Sequence, residues 1–218
     1  MNDRRPYRRE SVERRRDDLI AAALQLVSEG GAQAATVRAI AERAGVTPGL
    51  IRHYFQTKDD LTRAAYHRLM EQMTQDSAEV LTLAPLDPAT RLAAFVVASV
   101  TPPVLDPVTL GMWAGFLHQV RRDAAMREVH SANYLQFRDM LQSLIAALPR
   151  ATTPEQLRRD AIACNAVVDG LWLEGSALPD AFAPDEIASI ALVSVGRILQ
   201  FDLASPSAPR AQNPRIDP

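Results

Sequence analysis

Apolar residues recur at helical spacing along most of this chain of 218 residues, and alternating strand patterns are almost absent. A first helix is predicted from about Glu13 to Glu29, because Ile20, Leu24 and Val27 share one of its faces. The pair Gly30-Gly31 follows, as is typical just past the end of a helix. The chain is therefore predicted to be all-helical.

Three threonines predict the starts of the next three helices. Thr36, Thr47 and Thr57 each stand where a side-chain oxygen can cap the first turn of a helix. Pro48 follows one of them at the first helical position, which proline tolerates well. The helix after Thr57 is predicted to continue to about Leu83.

Longer and more apolar helices are predicted beyond Pro85. Their predicted spans are about Asp87 to Val100, Pro107 onward, Met126 to Leu148, Pro154 to Leu173 and Pro184 to Leu203. The last fifteen residues, 204–218, contain four prolines and few apolar side chains, and we expect them to be disordered.

Composition excludes several classes of protein. The formal net charge is −2, and the single cysteine, Cys164, excludes an internal disulfide and a thiolate zinc cluster. No apolar run approaches the roughly 20 residues of a membrane span, and no secretory signal precedes the first helix. A cytoplasmic protein without a cofactor and without a membrane partner is expected.

The near-neutral total conceals an uneven distribution of charge. Residues 1–70 carry 13 basic and 9 acidic side chains, whereas residues 71–218 carry 11 and 17. Residues 1–12 are predicted to form a disordered basic arm that contacts phosphates or the minor groove, or alternatively a solvated tail. Such asymmetry between the two parts of a chain points to a nucleic-acid partner.

A helix-turn-helix pattern occupies Thr36 to Lys58, with the sequence TVRAIAERAGVTPGLIRHYFQTK. Gly45 permits the positive φ that a sharp turn requires, and Ile51 and Phe55 can face inward one helical turn apart. A short helix beginning at Pro48 could then enter the major groove N-terminus first. Any glycine-containing turn between two short helices would give a similar pattern without binding DNA.

The outward positions of this segment are the candidate DNA contacts. Arg52 could donate two hydrogen bonds to guanine, Leu50 could touch a thymine methyl group, and Gly49 lets the backbone approach closely. His53 and Tyr54 suit phosphate or sugar contacts, which orient a protein on DNA without reading its sequence. Thr36 and Lys58, each at a helix N-terminus, suit contacts with backbone phosphates on either side. The full candidate set is Thr36, Arg38, Thr47, Pro48, Gly49, Leu50, Arg52, His53, Tyr54 and Lys58.

The segment closely resembles the N-terminal DNA-binding domain of the tetracycline-repressor (TetR) family over about residues 14–62. The resemblance rests on Thr36, Ile40-Ala41, Ala44-Gly45-Val46, Gly49, Ile51, His53-Tyr54-Phe55, Lys58 and Leu61. It implies a DNA-binding domain over residues 13–62 and a helical effector-binding and dimerisation domain over residues 63–203. Pro48 departs from the polar residue often found there, which leaves a base contact from that position in doubt.

The second part of the chain looks like the C-terminal domain of choline-responsive BetI-type repressors. The segments that carry this resemblance are Met112–Val120, Arg127–Ile145 and Val167–Ala177. It implies a homodimer joined through the last two long helices, so that two recognition helices face a pseudo-palindromic operator. The apolar positions expected to supply one face of that interface are Ile187, Ile190, Ala191, Ser194 and Ile198.

A choline-like effector would be held by aromatic faces and a nearby carboxylate. The candidate effector-binding residues are Trp113, Phe116, Tyr134, Phe137, Asp169 and Trp172, with Glu174 as a second acid. Two alternatives remain open. The aromatic residues could simply pack the core, or they could line a mixed apolar pocket for another small molecule.

An enzyme is not expected, because no metal-binding pair, nucleophilic serine turn or glycine-rich cofactor loop is present. His67, His118 and His130 are expected on helix surfaces, and Cys164 is expected to be buried. The sequence thus predicts a ligand-responsive DNA-binding transcriptional regulator, most simply a repressor released by its effector. The alternatives are an architectural, effector-independent DNA-binding protein and a helical adaptor that binds no DNA.

Overall fold

The computed structural model describes residues 5–203, with side chains from residue 12 onward, and this part of the chain is all-helical as predicted. Its nine α-helices are α1 (Arg5–Gly30), α2 (Val37–Arg43), α3 (Pro48–Tyr54), α4 (Lys58–Glu79), α5 (Pro88–Ala98), α6 (Pro107–Val120), α7 (Ala124–Ala146), α8 (Pro154–Ala177) and α9 (Glu186–Leu199). Two short 3₁₀ turns follow α4 and α8, at Val80–Thr82 and Pro179–Ala181.

Helix α1 begins at Arg5, well before the predicted start at Glu13. Residues 5–12 of the predicted disordered arm therefore belong to the helix. The sequence allows this, because Pro6 falls in the first turn, where proline costs no hydrogen bond. Residues 1–4 and the predicted tail, 204–218, lie outside the described residues.

The three predicted threonine starts differ in how their side chains are used. The hydroxyl of Thr36 accepts from the backbone N–H of Ala39 at 3.1 Å, and Thr57 forms a reciprocal capping box with Asp60. Thr47 occupies the N-cap position of α3, but its side chain makes no capping hydrogen bond. The turn before it has Gly45 at φ +64°, which confirms the predicted positive φ.

The first hydrophobic core lies beneath the helix-turn-helix and extends beyond it. Its largest fully buried side chains include Leu19, Ile40, Ile51, Leu61, Tyr66, Phe116 and Met126. Phe116 belongs to α6 and Met126 to α7, so the second part of the chain completes this core. The proposed division at residues 62 and 63 falls inside α4 and does not coincide with a gap in the packing.

The second core joins α5, α7, α8 and α9. Its fully buried side chains include Leu92, Phe95, Leu141, Ile145, Cys164, Ala191 and Leu199. Burial raises the pKa of the Cys164 thiol to about 12, so this cysteine is an inert core residue, as predicted. A partly buried ion pair between Arg150 and Asp160 joins the end of α7 to α8.

Helix α9 exposes only part of the predicted dimer face: Ile190 is exposed, and Ser194 and Ile198 are half-buried. Ile187 and Ala191 are buried in the core of their own chain, so they cannot form an intermolecular face, and that part of the prediction is wrong. Ile190 and Val193 are the apolar side chains that α9 leaves exposed, at 40% and 39%. No helix in the described part of the chain is both long and apolar enough to cross a membrane.

Candidate DNA interface and ligand cavity

Helix α3 lies on the surface and is held from beneath by a few apolar side chains. Ile51 and Phe55 are buried in the first core, and the guanidinium of Arg16 lies 5.0 Å from the centre of the Phe55 ring. Eight of the ten candidate DNA contacts are exposed, and the remaining two, Leu50 and Tyr54, are half-buried. Tyr54 packs against the core, so its ring serves the fold as well as any contact with DNA.

Three cations of the helix-turn-helix segment have no ion-pair partner among the described residues. Arg38, Arg52 and Lys58 form no ion pair with any residue in the described part of the chain. Arg43, by contrast, is neutralised within the fold, because it donates two hydrogen bonds to the carboxylate of Glu29, at 2.8 and 2.6 Å. The structure thus leaves free positive charge where the sequence predicts phosphate and base contacts.

Gly49 has no role in packing. A Cβ added at this position would meet only the hydroxyl of Thr47, at 3.9 Å. Glycine weakens a helix, so its presence on the exposed side of α3 is not explained by the fold. Close approach of the backbone to DNA, as the sequence predicts, would explain it.

A cavity of about 460 Å³ lies between the two cores, within the volume range of small-molecule sites. Helices α4, α6, α7 and α8 form most of its wall, together with the end of α5 and the loop after it. The lining residues are Met70, Met73, Thr74, Ser77, Ser99, Val104, Trp113, His130, Asn133, Tyr134, Phe137, Val168, Asp169, Gly170, Trp172 and Leu173.

Five of the six candidate effector residues line this cavity: Trp113, Tyr134, Phe137, Asp169 and Trp172. The sixth, Phe116, does not line it, because its ring is buried in the first core, 5.1 Å from the ring of Tyr66. Glu174 is exposed and is not among the lining residues, so Asp169 is the carboxylate of the cavity. The two tryptophans meet edge to face at 5.5 Å, and Trp172 Nε1 donates to the carbonyl of Val104 at 2.8 Å.

The carboxylate of Asp169 is held from one side by two neighbours. Its Oδ2 accepts from the hydroxyl of Tyr134 at 2.5 Å and from Nδ2 of Asn165 at 2.8 Å. Its Oδ1 makes no hydrogen bond within the described residues. Burial raises the pKa of Asp169, although the two hydrogen bonds and nearby His130 oppose this rise.

Most other polar groups of the cavity are already satisfied. The hydroxyls of Thr74, Ser77 and Ser99 each donate to a carbonyl four residues earlier in their own helix, at 2.8–3.1 Å. The wall is therefore largely apolar and aromatic, with an acidic group at Asp169. This arrangement favours an occupant with an apolar body and one positively charged or hydrogen-donating group.

His130 was expected on a helix surface, and this expectation is wrong. The ring is half-buried, lines the cavity and shares a 2.7 Å hydrogen bond through Nδ1 with the hydroxyl of Tyr66. Burial lowers its pKa, against the opposing effect of Asp169. The sequence did contain a signal, because His130, Asn133, Tyr134 and Phe137 form one stripe on α7.

The contribution of α4 to the cavity was also missed. Met70, Met73, Thr74 and Ser77 line the cavity from this helix. Their spacing is that of any buried face of an amphipathic helix, so the pattern cannot distinguish a cavity wall from a packed core.

An exposed helix-turn-helix bearing free cations, joined by one helix to a body with an apolar cavity, defines a DNA-binding regulator of transcription. Residues 19–65 match the family of bacterial regulatory proteins called the tetR family, and residues 88–200 match the C-terminal domain of BetI-type transcriptional repressors. The chain therefore belongs to the TetR family, with a BetI-type C-terminal domain. Both resemblances seen in the sequence are confirmed.

Known proteins support the same assignment. The chain is 31% identical to the HTH-type transcriptional regulator BetI of Burkholderia ambifaria over 163 residues, which cover 74% of this chain and 82% of that protein. BetI of Burkholderia thailandensis is 29% identical over 162 residues, with the same coverage. The crystal structure of a transcriptional regulator from Pseudomonas aeruginosa PAO1 superposes with a TM-score of 0.78 at 31% identity, covering 91% of this chain and 97% of that chain. These relatives are regulators and not enzymes.

Proposed function

We propose that this chain is a homodimeric repressor that leaves its operator when a small molecule occupies the cavity between α4 and α8. The observation that carries this proposal is the course of α4. This helix begins at Lys58, directly after the recognition helix, and it lines the cavity with residues from Met70 to Ser77. One rigid element thus joins the DNA-facing surface to the ligand-facing wall, and an occupant that moves α4 changes the separation of the two recognition helices.

The dimer is proposed to form through α8 and α9. Helix α8 carries an exposed stripe of Ile162, Ala166, Gly170 and Leu173, of which the last two also border the cavity. Helix α9 adds the exposed pair Ile190 and Val193. A two-fold axis through these helices would present two copies of α3 to successive major grooves of a pseudo-palindromic operator. A repressor of chromosomal genes acts in the cytoplasm.

The DNA contacts are tested by binding to a duplex that the wild-type protein selects from a random pool, followed by fluorescence anisotropy. Arg52→Ala should lose sequence discrimination, with about 1–3 kcal/mol lost against the selected duplex. Lys58→Ala should weaken binding to every duplex alike. It should also lower the slope of log affinity against log salt concentration by about 1, because one counterion fewer is released. Arg43→Ala is the control, because Arg43 is already paired with Glu29. Failure of the wild type to enrich any sequence would contradict the proposal.

The effector is proposed to be a small organic cation, since Asp169 offers a carboxylate within an apolar aromatic wall. Choline and its uncharged carbon analogue 3,3-dimethyl-1-butanol have nearly the same shape, so thermal stabilisation by each isolates the effect of charge. Choline should stabilise the wild type more than the alcohol does, and Asp169→Asn should remove the difference. Equal stabilisation by the two would instead indicate a mixed apolar pocket.

The same compounds separate a repressor from an effector-independent DNA-binding protein. Saturable binding that weakens the complex with the selected duplex supports effector release. Ligand binding with unchanged DNA affinity would support an architectural role instead.

A further inference from the structure

Tyr66 connects the first core to the wall of the cavity. Its ring is fully buried beneath the helix-turn-helix, beside Phe116, and it stands on α4 about two turns after Lys58. Its hydroxyl points out of this apolar environment to Nδ1 of His130, at 2.7 Å. This hydrogen bond fixes the position of the Tyr66 side chain, because loss of the partner would leave a buried hydroxyl without a hydrogen bond.

His130 occupies the boundary between that core and the cavity. One nitrogen of its ring is bonded to Tyr66, and Nε2 has no hydrogen-bond partner within the described residues. The imidazole is nearly parallel to the Tyr66 ring, with ring centres 6.1 Å apart, and its centre lies 5.9 Å from that of Tyr134. The ring therefore contacts the first core through Tyr66 and the surroundings of Asp169 through Tyr134.

Tyr134, one turn beyond His130 on α7, continues the connection to α8. Its hydroxyl donates to Oδ2 of Asp169 at 2.5 Å, and burial together with that carboxylate raises the pKa of Tyr134 to about 12. Helix α7 is thus fixed to α8 through Tyr134 and to α4 through His130. Both attachments lie in the cavity wall, where an occupant can disturb them.

We propose that the Tyr66–His130 hydrogen bond transmits the state of the cavity, through α4 and the first core, to the helix-turn-helix. Both side chains act as positioning residues. This inference rests on the effector-released repression proposed above. An uncharged imidazole carries one N–H and one bare nitrogen, so a bond made to Nε2 decides whether Nδ1 donates or accepts. An occupant that neutralises Asp169 or reaches Nε2 thereby weakens or reverses the restraint on Tyr66 and frees α4 to move.

A second polar link between α4 and α7 provides a comparison within the same molecule. Arg63, one turn before Tyr66, donates to the carboxylate of Asp123, the N-cap of α7, at 3.0 Å. Neither Arg63 nor Asp123 lines the cavity between α4 and α8. The two links join the same helices, but only the one at Tyr66 adjoins that cavity.

The test is a double-mutant cycle on affinity for the selected duplex at fixed salt. Asp169→Asn imitates a neutralised cavity, because an amide oxygen can replace Oδ2 toward Tyr134 and Asn165. It should weaken binding about 5- to 10-fold in the wild-type background and less than 2-fold when combined with Tyr66→Phe. Combined with Arg63→Gln, which removes the other α4–α7 link, Asp169→Asn should keep its full effect. His130→Phe should act like Tyr66→Phe and replaces it if that variant does not fold.

The outcomes distinguish this inference from the function on which it rests. Equal effects of Asp169→Asn in all backgrounds, or no effect in the wild type, would overturn the coupling role and leave DNA recognition intact. Failure of the wild type to select any duplex would remove the proposed repression itself and the coupling with it. Loss of the Asp169→Asn effect in both the Tyr66→Phe and Arg63→Gln backgrounds would show general loosening of α4 and would also overturn the inference.

Discussion

Gly49 lies in the first turn of α3, on a face where the fold makes no use of a missing side chain. A Cβ added there would meet only the hydroxyl of Thr47, at 3.9 Å, which is an ordinary van der Waals contact. Gly111 in α6 is a comparable case, because a Cβ there would meet no atom within 4 Å. Both helices can therefore accept an added methyl group, and the two glycines form a matched pair at different distances from the proposed DNA interface.

Alanine at either position should stabilise the protein by about 0.5–1 kcal/mol, because alanine loses less backbone entropy than glycine in a helix. Gly49→Ala should nevertheless weaken binding to the selected duplex about tenfold or more, since the new methyl group prevents close approach of the backbone. Gly111→Ala should bind DNA as the wild type does. Urea unfolding and anisotropy measure the two effects, and unchanged affinity of Gly49→Ala would show that the backbone of α3 stays away from the bases.

Asp169 should leave a signature in the dependence of stability on pH. Its pKa is raised in the folded protein by burial, so the native state binds this proton more tightly than the unfolded chain does. The contribution of Asp169 to the free energy of unfolding is thus greatest below the unfolded pKa of about 3.9 and falls as pH rises through the raised native pKa. Asp169→Asn should consequently gain stability relative to the wild type as the pH rises from about 4 through the raised native pKa of Asp169.

Asp139→Asn controls for the loss of one carboxylate on the surface, because Asp139 is exposed on α7. Urea unfolding of the three proteins across this pH range gives the comparison. A stability difference between wild type and Asp169→Asn that does not change with pH would contradict the buried, costly carboxylate described above.

At the scale of the helices, the start of α4 serves both stability and recognition. Thr57 accepts from the N–H of Asp60 at 3.1 Å, and the Asp60 carboxylate accepts in return from the backbone of Thr57 at 2.9 Å. This capping box fixes the turn that carries Lys58. Thr153 caps α8 in a similar way, by accepting from Gln156 at 3.2 Å, far along the chain from the recognition helix.

Removal of either cap should cost about 1 kcal/mol of stability, because it leaves a helix N–H without its acceptor. Thr57→Ala should in addition weaken DNA binding several-fold, since the first turn of α4 no longer holds Lys58 in place. Thr153→Ala should leave DNA binding unchanged. Equal DNA affinity of the two variants would show that the capping box has only a stabilising role.

Helices and caps were predictable from the sequence because both depend on residues within one or two turns of each other. Thr36, Gly45 and Thr57 behave as predicted for that reason. The stripe on α7 that contains His130 is visible in the sequence, but its hydrogen bond to Tyr66 is not, since Tyr66 lies 64 positions away in the chain. The predictions for Phe116 and Ile187 were wrong for a similar reason. An aromatic or apolar stripe does not indicate whether it faces a cavity, a core or another molecule.

At the scale of the whole molecule, the exposed apolar residues of α8 and α9 support self-association. Ile190 and Leu135 are exposed to nearly the same extent, 40% and 41%, but only Ile190 lies on the proposed interface. Ile190→Asp should dissociate the dimer in sedimentation-velocity experiments and lower DNA affinity by at least tenfold, because two linked recognition helices bind more tightly than one. Leu135→Asp should remain dimeric, and dissociation by both substitutions alike would contradict this assignment of the interface.

The shared first core has a consequence for engineering hybrid regulators from this protein. Phe116, Val120 and Met126 complete the hydrophobic core beneath the helix-turn-helix, although all three come from the second part of the chain. A DNA-binding domain truncated after residue 62 would lose these side chains, and its exposed apolar surface would favour aggregation. A hybrid that joins this DNA-binding domain to another effector-binding domain therefore has to include these three residues. Alternatively, the other domain has to supply equivalent apolar side chains from its own α6 and α7.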